Sequence, residues 1–290
     1  MSAETAEDGV QEHPRTGTGR ELIYRHTVFV RLSHWFNAFC FAVLLMSGLQ
    51  IFNAHPMLHW GVKGDEADPS LFSIYAEEQL EGPPIGWLQI GSAKFNTTGV
   101  LGVFTDRDGF LSGRAFPWWI TLPSYQSLAE GRRWHFFFAW LLAINGFAYL
   151  IYGFAAGHFR RDLAPTGKDV RGLGRSILDH LRFRHPRGDA ARRYNVLQKF
   201  AYLAVIFLFA LMIVTGLSMS PGIDSAAPWL PDLFGGRQSA RTIHFIAAVS
   251  LVLFVLIHLF EVLLAGVFNE LRSMITGWFS VRPDKPGRQT

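Results

Sequence analysis

Apolar residues gather along this chain into four long runs, separated by polar stretches of very unequal length. Crossing the hydrocarbon core of a bilayer takes about 20 mostly apolar residues in a helix. Thr27–Phe52, Arg133–Gly157, Val196–Ser220 and Ala240–Gly266 all meet that length, and the last is the least interrupted. The first run carries Arg31 and Ser33 near its start, which belong at a water-facing end. The pattern predicts an all-α membrane protein built as a four-helix transmembrane bundle spanning 27–266. Residues 1–26 and 267–290 then read as polar tails.

Composition agrees with that reading. Of 290 residues, 49% are hydrophobic and only 17% are charged, a membrane balance rather than a soluble one. Met1–Arg25 is polar and mixed in charge, without the apolar stretch of a signal peptide, and reads as a loosely ordered tail. The single cysteine, Cys40, falls inside the first span. One thiol supports neither a disulfide, nor an iron–sulfur cluster, nor covalent haem attachment.

Charge orients the bundle. The segment 158–195 carries Arg160, Arg161, Lys168, Arg171, Arg175, Arg182, Arg184, Arg187, Arg192 and Arg193 against four aspartates. Between the third and fourth spans there is only Arg237. The positive-inside rule places the basic segment and both termini in the cytoplasm. The basic segment reads as a topology signal and a contact for lipid head groups, not for nucleic acid. The connection 53–132 then lies on the periplasmic side. It is far longer than ordinary loops, acidic on balance, and contains Trp60, Trp87, Trp118 and Trp119. Such aromatic content predicts an ordered cap with some short strand or interfacial helix. It serves either as a docking platform for a periplasmic partner or as a lid over a cofactor edge.

The histidines carry the chemistry. His244 and His258 lie fourteen residues apart on the fourth span. At about 100° and 1.5 Å per residue they return to within about 40° of one face, about 21 Å apart along the axis. His135 opens the second span at the level of His244, and His34 opens the first at the level of His258. Ionisable groups in the membrane are costly and mark function. Two histidine pairs at two levels suit bis-histidine ligation of two b-type haems, six-coordinate centres for electron transfer. His158, which ends the second span, is an alternative to His34. His55, His59, His180 and His185 fall in loops and read as solvated.

Three of the four histidines have an arginine three residues earlier: Arg31, Arg132 and Arg241. On a helix that spacing shares a face, and each guanidinium could pair with a haem propionate. They also read as simple topology anchors. A transporter or proton relay would use intramembrane histidines too, so a histidine-lined transporter stands as an alternative function. The first and third spans end alike, in Leu44-Leu-Met-Ser-Gly-Leu49 and Leu211-Met-Ile-Val-Thr-Gly-Leu217, either a trace of duplication or similar packing.

Arg31-Leu-Ser-His34-Trp35, His135 and the His244/His258 spacing resemble the bacterial cytochrome b561 superfamily over all four spans. That superfamily includes the cytochrome b subunits of hydrogenase, formate dehydrogenase and thiosulfate reductase. Ser33-His-Trp-Phe-Asn37 and Tyr194-Asn-Val-Leu-Gln-Lys199 are most similar to the thiosulfate reductase branch. The resemblance implies a diheme cytochrome b subunit moving electrons between the quinone pool and a periplasmic partner, often a molybdopterin oxidoreductase. A stand-alone quinone oxidoreductase is the alternative. It also implies a quinone site near the cytoplasmic haem. The matching positions are Tyr194, Asn195, Gln198 and Lys199, with Glu261 as a proton exchanger; interfacial capping is the other reading of these side chains.

Overall fold

The computed structural model describes residues 21–64, 68–157 and 196–281, with 164, 166–167, 171–172, 174, 176 and 178 between them. The four apolar runs form four long helices: α1 (Val28–Phe52), α2 (Leu128–Ala155), α3 (Val196–Ser218) and α4 (Arg237–Thr276). All four are long and apolar enough to cross a membrane. Short strands accompany them: β1 (Glu21–Tyr24), β2 (Met57–Leu58), β3 (Phe72–Glu77), β4 (Ile85–Ile90), β5 (Ala93–Asn96), β6 (Phe104–Thr105), β7 (Leu111–Ser112) and β8 (Trp278–Val281).

Local chemistry moves two helix boundaries away from the hydropathy pattern. Helix α2 starts at Leu128, ahead of Arg133, because the Ser127 side chain accepts the Glu130 backbone N–H at 3.4 Å. Such a cap satisfies one of the orphan donors of the first turn. In α4 the backbone leaves helical geometry at Gly266, with φ 108° and ψ 86°, a conformation open to glycine. The apolar run stops there, but the helix resumes and continues to Thr276.

The chain divides into two compact units, one of Trp35–Ala156 with Leu203–Leu256, the other of Met1–His34, Gly157–Tyr202 and Ile257–Thr290. In the first, Cys40 and Val43 of α1 pack on Phe138 and Leu142 of α2, with Phe209 of α3 against them. Asn145 Nδ2 donates to Asn37 Oδ1 at 2.7 Å on the same α1–α2 seam.

The long connection between α1 and α2 is where the all-helical expectation needs correction. It builds a four-stranded antiparallel sheet in the order β2-β3-β4-β5, plus the hairpin β6-β7. The chain is mostly helical, not all-helical. Residues suited to a half-buried pleated surface, such as Phe72, Ile74, Tyr75, Ile85 and Trp87, favour strands here. Gly91–Ser92, with Gly91 at φ 57°, closes the tight β4–β5 hairpin. The sheet's buried side joins Phe52, Leu58, Ile74 and Ala115 to Phe245 of α4. Full burial of side chains such as Leu58 and Ile74 contributes about 1.5–3 kcal/mol each, enough to seat the sheet on the helix ends.

In the second unit, strands form in both segments read as tails. β1 pairs antiparallel with β8, from Glu21 opposite Val281 to Tyr24 opposite Trp278. Gly277, at φ 90°, makes the turn into β8; a Cβ there would lie 2.4 Å from the Tyr24 ring. Asn269 ties α4 to β8 by donating to the Ser280 carbonyl at 3.0 Å and accepting the Ser280 N–H at 2.9 Å.

Candidate functional site

Two histidine pairs form, each inside one compact unit. The ring centres of His135 on α2 and His244 on α4 are 6.3 Å apart, with planes at 60°. Those of His34 on α1 and His258 on α4 are also 6.3 Å apart, with planes at 68°. With metal–nitrogen bonds of about 2.0–2.1 Å, a separation of this size would let the two imidazoles of each pair reach one metal between them. His158 lies outside the described residues.

The first pair sits in closely similar surroundings on its two sides. Ser47 Oγ of α1 lies 3.1 Å from His135 Nδ1, and Thr215 Oγ1 of α3 lies 2.9 Å from His244 Nδ1. Both hydroxyls donate back into their own helix, Ser47 to the Val43 carbonyl at 2.7 Å and Thr215 to the Leu211 carbonyl at 2.6 Å. The next residue in each helix is a glycine lying against the ring. A Cβ on Gly48 would be 3.3 Å from His135 Cε1, and one on Gly216 would be 3.5 Å from His244 Cε1. The echo between the first and third spans is thus a pair of matched cradles for two imidazoles. The repeated hydroxyl–glycine pair, Ser47-Gly48 and Thr215-Gly216, is the part of the sequence echo that carries this arrangement.

The three arginines are engaged with protein groups. Arg31 Nη1 donates to the Ile275 carbonyl near the end of α4, while its buried Nε has no partner among the described residues. Arg132 lies over the Phe136 ring at 5.4 Å. Arg241 Nη2 donates to the His55 carbonyl, and its guanidinium lies 5.7 Å from the centre of the Phe52 ring. Of the residues matched to a quinone site, Gln198 and Lys199 stand in the first turn of α3, and Glu261 follows His258 by three residues on α4. Tyr194 and Asn195 lie outside the described residues, as does most of the basic segment 158–195.

His59 corrects an expectation. It is 2% exposed rather than solvated, and neither ring nitrogen has a partner among the described residues. Its carbonyl accepts the Thr242 hydroxyl at 2.7 Å, which buries the turn against α4.

A further polar network holds the connection to the end of α1. Arg114 donates through Nη2 to Gln50 Oε1 at 2.8 Å and through Nη1 to the Ser124 carbonyl at 3.0 Å. Gln50 Nε2 donates to the Tyr125 carbonyl at 2.8 Å, and Asn53 Oδ1 accepts the Phe116 N–H at 2.7 Å. Burial pushes the Arg114 pKa below its ordinary value, though an arginine keeps its proton throughout the working range.

The sequence profile described as prokaryotic cytochrome b561 matches residues 25–277, an interval that contains all four helices and both histidine pairs. The chain belongs to the prokaryotic cytochrome b561 family. This cytochrome is a membrane-integral electron-transfer subunit of the b561 type, and the family implies b-type haem. It is 26% identical over 258 residues to "Putative protein-methionine-sulfoxide reductase subunit YedZ1" of Azospira oryzae, covering 89% of this chain and 98% of that protein. It is 25% identical over 158 residues to "Probable Ni/Fe-hydrogenase B-type cytochrome subunit" of Cupriavidus necator, covering 50% of this chain and 65% of that protein. The b561 cytochrome's histidine pairs supply the donor type that axial ligation of haem iron requires.

Proposed function

We propose that this cytochrome is a diheme subunit that moves electrons between the quinone pool and a redox enzyme on the periplasmic side of a bacterial inner membrane. The observation that carries the proposal is the pair of 6.3 Å imidazole separations. His135 and His244 would hold one haem b, and His34 and His258 the other. A haem held by two histidines would supply a one-electron couple suited to electron transfer rather than oxygen chemistry.

The chain's own residues do the rest. Arg241, Arg132 and Arg31 lie on the turn before three of the four ligands, where they offer positive charge to propionates. Gln198 and Lys199, preceded in sequence by Tyr194 and Asn195, would offer hydrogen bonds to quinone carbonyls, and Glu261 would exchange the accompanying proton with the cytoplasm. The connection 53–132 offers the partner a docking face. Both relatives are named as subunits, one of a reductase and one of a hydrogenase, which favours a subunit over a stand-alone quinone oxidoreductase. The partner we propose is a molybdopterin oxidoreductase.

The test is the haem content of the purified protein. A reduced-minus-oxidised spectrum of b type with two haems per chain is expected. A colourless protein would overturn the proposal, and one haem per chain would remove one of the two sites. Detergent extracts should also yield the chain together with a soluble redox enzyme.

A further inference from the structure

We propose that Ser47 and Thr215 are positioning residues that fix the protonation of both ligands of the first haem and thereby set its potential. The inference rests on the reading that His135 and His244 are axial ligands. Each hydroxyl has one proton to give and lone pairs to accept with. Ser47 Oγ is placed to donate to the Val43 carbonyl at 2.7 Å or the Leu44 carbonyl at 3.2 Å, and Thr215 Oγ1 to the Leu211 carbonyl at 2.6 Å or the Met212 carbonyl at 3.3 Å. Carbonyl oxygens only accept, so both hydroxyl protons are committed to the helix backbone. With its proton engaged by the backbone, each hydroxyl oxygen presents lone pairs to the imidazole, which makes His135 Nδ1 and His244 Nδ1, at 3.1 and 2.9 Å, the donors in this proposal. That assigns the proton to Nδ1 on both rings and leaves Nε2 free to bind iron. The hydrogen bond on the far nitrogen fixes which nitrogen ligates and raises ligand basicity.

The arrangement occurs twice, on two different helices, with a glycine beside each hydroxyl to let the ring in. Ser47 and Thr215 are both fully buried. A hydroxyl in mid-helix is normally neutral or unfavourable. Here each completes a chain from imidazole to hydroxyl to carbonyl that water does not reach. A more basic imidazole favours oxidised iron. Removing either hydroxyl therefore moves the midpoint potential of this haem upward. Each tenfold loss of preference for the oxidised over the reduced form amounts to about 59 mV. Haem affinity should fall by about 10–100-fold.

The experiment compares the wild type with Ser47→Ala, Thr215→Val and Thr215→Ser in the full chain, by redox titration and by low-temperature EPR of the oxidised protein. Ser47→Ala and Thr215→Val should each raise the potential and shift the g-values of one haem only, leaving the other unchanged. Thr215→Ser, which keeps the hydroxyl, should restore both. In wild-type protein labelled with 15N-histidine, the reduced state should show two protonated, slowly exchanging Nδ1 signals. That measurement stands even if a variant does not fold. Two bound haems with unchanged potentials and g-values in both variants, or labelled Nδ1 atoms without protons, would overturn this proposal alone. A wild type without haem would instead overturn the diheme reading beneath it.

Discussion

His34 and His258 come from the first and last helices, yet their imidazole centres stand 6.3 Å apart, the same separation as His135 and His244. The separation would let both rings reach one metal, and the helix positions of the four histidines give that reading its weight. His34→Ala should lower the content from two haems to one per chain. The haem that remains should be the one that His244→Ala removes. Haem assays with redox titration of the two variants check this. Two haems surviving in His34→Ala would hand the ligand role to His158.

The two cradle glycines should respond unequally to the same substitution. Gly→Ala inside a helix gains up to about 1 kcal/mol of backbone propensity. Against that, the new methyl at Gly48 would sit 3.3 Å from His135 Cε1, while at Gly216 the gap to His244 is 3.5 Å. Overpacking typically costs about 1–3 kcal/mol, and it applies chiefly at the tighter site. Gly48→Ala should lower haem occupancy and broaden the visible bands of the first haem. Gly216→Ala should leave the spectrum close to wild type. Equal behaviour of the two would show that His135 can move away at no cost.

What the sequence makes legible here is set by range. The four helices come from local apolar runs, and Val28–Phe52 and Val196–Ser218 lie within two residues of the expected spans. The histidine levels follow from helix periodicity and span order. The start of α2 at Leu128 is also encoded locally, in Ser127-Leu-Ala-Glu130, but a capping signal is weaker than the hydropathy pattern that begins at Arg133. The four-stranded sheet was harder to see, because strand preference depends on the surface a strand packs against. Ser47 and Thr215 were harder still. Their one sequence signal is the hydroxyl–glycine pair repeated in the first and third spans, which gains a meaning only when a ring from another helix lies beside it. His59 was misread for the same reason: a loop position says nothing about burial once the loop folds down onto α4.

The Arg114 network should matter for stability more than for haem. Its guanidinium gathers Gln50, Thr121 and the Ser124 carbonyl, holding the segment before α2 against the end of α1. Arg114→Met keeps the bulk and strands those acceptors. An unsatisfied buried polar group costs about 1–3 kcal/mol. The variant should melt several degrees lower and be cleaved sooner between Phe116 and Tyr125, with both haems still bound. Arg114→Lys should rescue little, because a point ammonium cannot reproduce the fork of donors. Wild-type melting of Arg114→Met would remove the network from the account of how the connection is seated.

The orientation can be tested with a single thiol at a time, since the native one is silent. Cys40 is buried, so a membrane-impermeant maleimide should not modify the wild type. Leu80, between β3 and β4, is fully exposed. Leu80→Cys should label in intact cells if the connection 53–132 faces the periplasm. Ser176→Cys, in the basic segment, should label only after the cells are opened. Electrostatics sets this direction. Arginine and lysine crowd the segment 158–195, the connection 53–132 is acidic on balance, and positive charge is retained on the cytoplasmic side during insertion. Labelling of Ser176→Cys in intact cells, with Leu80→Cys protected, would reverse the topology. The haem of His135 and His244 would then face the cytoplasm, and the redox partner would have to be sought there.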